Sequence, residues 1–225
     1  MRAVGAGDTS VGMTLLQQLG LAYSSVAKPN FNGIVITARR GTKSKDLNRV
    51  NLFAKVPNWD ISACKSSREI LKKCGYLRRE ESKLYCTVRA RQPNAQGLFL
   101  QLDRAARLLL ESRVTDGDAM QPVATWRLDQ LERKLQDTHA ESAWVTAVPI
   151  YRETEEWFHF RYVTFTSRPR TEEFANLIDQ GTITVDHLIS AVGNRVVEKG
   201  PLFKIKPENV NSLFPQTVTI DLLSI

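Results

Sequence analysis

The apolar residues of this chain change their period repeatedly, and that alternation limits the fold more than any other feature. Near the start, Val11, Leu15 and Leu19 recur every four residues, with Thr9 or Ser10 placed to cap a helix and Gly20 to stop it. Residues 33–38, GIVITA, then switch to a β-branched run that is apolar on both faces and reads as a buried strand. After the basic loop RRGTKSKDLNR, residues 50–56 (VNLFAKV) read as a second strand.

Ser66 and Glu69 have the spacing of a capping box for a helix through residues 68–74, ended by Gly75. Residues 83–103 read as two strands joined by a loop with Pro93, Asn94 and Gly97, and residues 107–113 as a third. Trp126, Leu128, Leu131 and Leu135 have helical spacing. Residues 143–151 and 157–166 read as strands, 171–181 as a helix with a glycine stop, 194–206 as a hairpin around Gly200, and 207–214 as a short proline-initiated helix. Strands and helices alternate without a regular βαβ rhythm, so the expected class is mixed α/β, or α+β. The 225 residues suit a single domain, and the irregular stretch 112–122 is the candidate junction if the chain forms two lobes.

No apolar run approaches the roughly 18 residues of a membrane span, and the first residues lack the apolar region of a secretory signal. Cys64, Cys74 and Cys86 are odd in number and widely spaced, which fits reduced thiols and a cytoplasmic protein. His139, His159 and His187 lie far apart without zinc-ligand spacing. With 31 Lys and Arg against 24 Asp and Glu, the net charge of +7 favours a polyanionic partner, nucleic acid before others.

The order of several short segments resembles the MvaI/BcnI-type restriction endonucleases and their MutH-like relatives. The segments are GDTSVGMTLLQQLGL at the first helix, KPNFNGIVITARR at the first strand, NLFAK, the Trp126–Leu131–Lys134 pattern, FANLIDQGTITVD, and GPLFKIK. The resemblance implies a restriction-endonuclease-like core, a central mixed sheet flanked by helices, and a two-lobed DNA cleft. It also implies carboxylates converging on Mg2+, which activates water, and a lysine that steadies developing negative charge. Matched residue by residue, the helix glutamate falls on Leu16, the aspartate on Asn30, the strand glutamate on Val35 and the lysine on Thr37. All four have changed, so no metal or other cofactor is expected, and the usual cleavage mechanism is expected to be lost.

The resemblance further implies phosphate contacts from Arg39, Arg40, Lys43 and Lys45 in the loop after that strand. Arg89 and Arg91 alternate on one face of an expected strand, and Lys199 and Lys204 fall in a segment that looks like a groove-contacting loop. The expected partner is double-stranded DNA, bound without cleavage by a targeting or regulatory subunit. Two other readings stay open on sequence alone. One is an active Mg2+-dependent endonuclease whose site has moved to acids such as Asp8, Asp46 or Asp60. The other is a protein-interaction module of a defence, repair or mobile-element complex. Phe203, Ile205, Trp126, Trp144 and Trp157 are expected to pack rather than to stack on bases.

Overall fold

The first helix, α1 (Ser10–Gln18), buries Val11 and Leu15 of the four-residue series and Leu16 beside them, whereas the third member, Leu19, is the C-cap and 42% exposed. It ends in a Schellman turn: the Leu21 amide donates to the Leu16 carbonyl at 2.8 Å and the Gly20 amide to Gln17 at 3.1 Å, with Gly20 at φ +68°. The expected side-chain cap is not made. Thr9 makes no capping bond, and the Ser10 hydroxyl donates to the Gly7 carbonyl instead. The computed structural model describes all residues except 8, 23–30, 42–48, 116, 118, 194 and 225, and the chain divides into two compact units.

The first unit comprises residues 1–48, 136–170 and 211–225. Its sheet runs β1 (Val35–Arg40), β8 (Ser142–Arg152), β9 (Glu155–Thr166), β13 (Gln216–Asp221). The β1–β8 pair is parallel and the others are antiparallel, so this sheet is mixed. The last four residues of GIVITA open β1, but as the sheet's first strand rather than a fully buried one: Val35 is buried and Ile36 to Ala38 only partly so. Before it, Asn32 (φ 47°) and Gly33 (φ 83°) make a two-residue turn in which Phe31 and Ile34 exchange amide hydrogen bonds. Val11, Ala147 and Phe158 form a core with Ala38 and Phe160 against it, and a second cluster joins Trp144, His139 and Phe214.

The second unit comprises residues 49–135 and 171–210. Its larger sheet is ordered β2 (Val50–Ala54), β12 (Leu202–Ile205), β10 (Ile183–Val192), β4 (Glu81–Val88), β3 (Tyr76–Arg78). Residues 194–206 do not form the expected hairpin. Instead β11 (Arg195–Glu198) and β12 each pair antiparallel with β10, one with each half of that long strand. A second sheet is the meander β5 (Leu98–Asp103), β6 (Leu108–Val114), β7 (Met120–Arg127). Residues 112–122 therefore run from the end of β6 into β7, within this unit.

The helix expected from Trp126 starts later, as α3 (Leu128–Thr138), because Trp126 is still in β7 and fully buried there. Helix α2 (Ser67–Cys74) forms one half of the expected capping box: Ser66 Oγ accepts from the Glu69 amide, but the Glu69 carboxylate accepts from the Lys65 amide at 2.8 Å, one residue before the cap. Helix α4 (Thr171–Asp179) stops at Gly181, φ +71°. A 3-10 turn (Pro207–Asn209) leads into α5 (Val210–Leu213). The core centres on Phe203, which stacks on Phe53 at 4.9 Å and meets the Trp126 edge at 5.9 Å, with Phe174 completing the group. Phe203 and Ile205 are fully buried, as expected.

Candidate nucleic-acid interface

Strand alternation places Val35, Thr37 and Arg39 on one face of β1 and Ile36, Ala38 and Arg40 on the other. Across the parallel ladder, Thr37 lies beside Trp144 and Arg39 beside Thr146. Val35 is 3% exposed and its amide donates to the Glu141 carbonyl at 2.8 Å, so its isopropyl group belongs to the fold. Leu16 is likewise buried on α1, and Asn30 lies outside the described residues.

Mg2+ takes oxygen donors, several of them charged. Leu16 and Val35 carry no side-chain oxygen and Thr37 only a hydroxyl, so these positions do not fit the ion. Among the described residues, no group of three His, Cys, Asp or Glu is arranged to hold a metal. Of the acids considered as replacements, Asp60 belongs to the second unit and is paired with Arg127 at 2.8 Å, which holds its carboxyl below the usual range. Asp8 and Asp46 lie outside the described residues. A cavity of about 510 Å3 in the first unit, between Leu15 and Leu19 of α1 and Ile36, Val145, Phe160 and Phe165 of the sheet, has only apolar walls. Among the described residues, its lining has no side chain to anchor a phosphate or a cation.

The structure separates the basic residues into three kinds. Arg39, Arg89 and Lys199 are exposed and in no ion pair among the described residues. Arg39 donates from Nε to Thr146 Oγ1 at 3.2 Å, which leaves the rest of its guanidinium for another acceptor. Arg40, Arg91 and Lys204 are already matched to acids. Arg40 grips Glu156 through two bonds of 2.9 and 2.8 Å and holds that carboxyl below its usual range, while also donating to Gly7 and Ser10. It is a clasp inside the first unit rather than a free cation.

Arg91 forks onto Asp179 at 3.1 and 2.6 Å, and its φ of 61° breaks the strand alternation expected of it and Arg89. Lys204 shares Asp186 with Arg49, at 3.0 and 2.8 Å. Burial would raise the Asp186 pKa, but hydrogen bonds from Lys204 and Thr87 and the charge of Arg49 hold it below the usual range. Lys43 and Lys45 lie outside the described residues.

Thiol chemistry is not on offer. Burial pushes the Cys74 and Cys86 thiols up to about 12, so neither is a thiolate near neutrality. His187 is fully buried, with Nε2 3.0 Å from both carboxylate oxygens of Glu111, and serves the core of the second unit.

A helix packed on a mixed sheet is the framework of a restriction-endonuclease-like protein. The chain belongs to the MvaI/BcnI restriction endonuclease family, whose sequence profile matches residues 1–214. Among solved structures, it is similar to restriction endonuclease MvaI in complex with its cognate DNA substrate. That likeness has 18% identity, covers 97% of this chain and 91% of that one, and gives a TM-score of 0.79. MvaI in the absence of DNA is similar over 84% of this chain and 79% of that one, with 16% identity and a TM-score of 0.60. At these identities the likeness is one of fold. Comparison with curated protein sequences gives no match.

Two lysines outside the sequence-based set emerge from the structure. Lys55 and Lys134 join Lys199 around one cleft of the second unit. The signal was present in the NLFAK and Trp126–Leu131–Lys134 segments, but in sequence their apolar residues speak for packing and hide the lysines.

Proposed function

We propose that this protein binds double-stranded DNA through a nuclease fold and does not cleave it, acting as a targeting or regulatory subunit. One observation carries the reading: the family's acid and lysine positions are occupied by Val35 and Thr37, which have no charge. In a working nuclease of this kind the clustered carboxylates repel a phosphate until a cation arrives. Each such pair at about 4 Å is worth roughly 4 kcal/mol at an effective dielectric of 20. Neutral replacements remove that repulsion, so the duplex binds without a divalent ion. The net charge of +7 and Arg39, Arg89 and Lys199, which are in no ion pair among the described residues, support phosphate contact, as does a solved relative bound to its cognate DNA.

Selection from a random oligonucleotide pool in chelator, with the purified protein, tests this reading. Recovery of duplexes at moderate salt supports it, and an enriched motif adds sequence preference. Nicks accumulating in supercoiled plasmid with Mg2+ or Mn2+ would instead establish a relocated active site. A protein that retains no duplex under any condition would be an interaction module.

A further inference from the structure

We infer that Lys55, Lys134 and Lys199 form a single seat for a backbone phosphate, set within the second unit. The inference rests on the duplex-binding reading and gives that function a definite point of attachment. All three line one cleft of about 370 Å3, closed by Ala54, Val56 and Gly200. That volume is at the small end of ligand pockets, room for a phosphate with its sugar but not for the width of a duplex.

The three side chains come from separate elements, and each backbone is fixed. Lys55 directly follows β2: its amide donates to the Pro201 carbonyl at 3.0 Å and its carbonyl accepts from Trp126 Nε1 at 2.9 Å. Lys134 stands half-buried on α3 between the buried Leu131 and Leu135. The Lys199 amide donates to the Leu188 carbonyl at 3.3 Å, where β11 passes towards β12. The three segments interlock through Phe53, Trp126 and Phe203 in the core. Packing thus fixes the three backbones around one hollow, from which each stem can bring its ammonium group to a shared anion.

Nothing local neutralises them. Among the described residues none of the three is in an ion pair. Of the acids next in sequence, Glu132 is bound to Arg107 at 2.6 Å, and Glu198 accepts from the Ser67 hydroxyl through one oxygen while its other oxygen is buried without a hydrogen bond. Like charges held together without a counter-charge attract an anion. Lysine supplies a point charge on a flexible stem, suited to a phosphate approached from several sides. The exposed side chain of Val56 offers an apolar wall for the sugar.

The test compares Lys55→Gln, Lys134→Gln and Lys199→Gln, singly and combined, with Arg133→Gln, a neighbouring exposed charge that does not line the cleft. Fluorescence anisotropy of a labelled 20-base-pair duplex in EDTA gives the slope of log affinity against log salt. Removing one phosphate-binding charge lowers that slope by about 0.9. A lysine change should lower it more than Arg133→Gln does, and the combined change further still. A combined variant that is folded by circular dichroism and matches Arg133→Gln overturns the inference while duplex binding itself stands.

Should the unaltered protein bind no duplex, the reading beneath the inference fails, and inorganic pyrophosphate titrated by calorimetry decides the cleft. Uptake by the unaltered protein that disappears in Lys199→Gln sustains it. No uptake overturns it.

Discussion

Arg39 and Arg40 are neighbours in sequence with the same charge, yet among the described residues only Arg40 is held by an acid, and replacing each by alanine separates the two. Arg40 makes two bonds to Glu156, one to the Gly7 carbonyl at 2.8 Å and one to Ser10 Oγ at 2.7 Å, and lies 5.2 Å over the Phe158 ring. The Arg40 and Glu156 side chains are 20% and 17% exposed. Breaking a fully buried pair costs about 3–5 kcal/mol and an exposed pair contributes 0–1, so at this exposure Arg40→Ala should cost roughly 2–4 kcal/mol.

The pH dependence has a definite sign. Because Arg40 lowers the Glu156 pKa, the pair's stabilisation is present above the unfolded carboxylate value of 4.5 and is lost as pH falls through the lower folded value. Urea denaturation followed by tryptophan fluorescence, at pH 7 and again in acid, should show a large loss for Arg40→Ala at neutrality and a smaller one in acid. Arg39→Ala should leave the urea midpoint nearly unchanged but lower the salt slope of duplex binding by about 0.9. If Arg40→Ala is as stable as the parent and reduces the salt slope as much as Arg39→Ala does, the division of labour is wrong.

The buried His187–Glu111 pair gives a second prediction. Glu111→Ala should cost about 3–5 kcal/mol, since both side chains are fully buried, and urea titration measures it. Burial alone would lower the His187 pKa, but the charge and hydrogen bond of Glu111 carry it above its ordinary value. The pair's contribution is therefore full below the unfolded histidine value of 6.5 and declines as pH rises through the folded one. Glu111→Gln should flatten that alkaline decline. At Gly75 an added Cβ would lie 2.4 Å from the Leu71 carbonyl oxygen, so Gly75→Ala should lose roughly 1–3 kcal/mol through crowding, readable as a lower melting temperature.

What the sequence disclosed was chiefly local. The Ser66 cap on the Glu69 amide and the stops at Gly20 and Gly181 are satisfied within a few residues, and each appears as expected. The misread segments depend on distant partners. Trp126 completes a helical spacing in sequence, but its β7 ladder with β6 and its packing on Phe203 hold it in a strand. Residues 194–206 look like a hairpin until β10 proves long enough to pair with both of their strands.

The same limit governs the interface. Period-two alternation does put Arg39 and Arg40 on opposite faces. Only the fold shows that Glu156, 116 residues away, claims Arg40. Asp179 and Asp186 claim Arg91 and Lys204 in the same way, from elements remote in sequence. The match of Leu16, Asn30, Val35 and Thr37 to the family's nuclease positions needs no coordinates to propose, because it concerns only which side chains are present.

A duplex binding isotherm recorded once in EDTA and once in millimolar Mg2+, at constant ionic strength, probes the central claim most directly. Equal affinity in the two buffers, with the duplex intact afterwards, is the predicted result. Binding that appears only with the divalent ion, or strands shortened at the end of the titration, would contradict it.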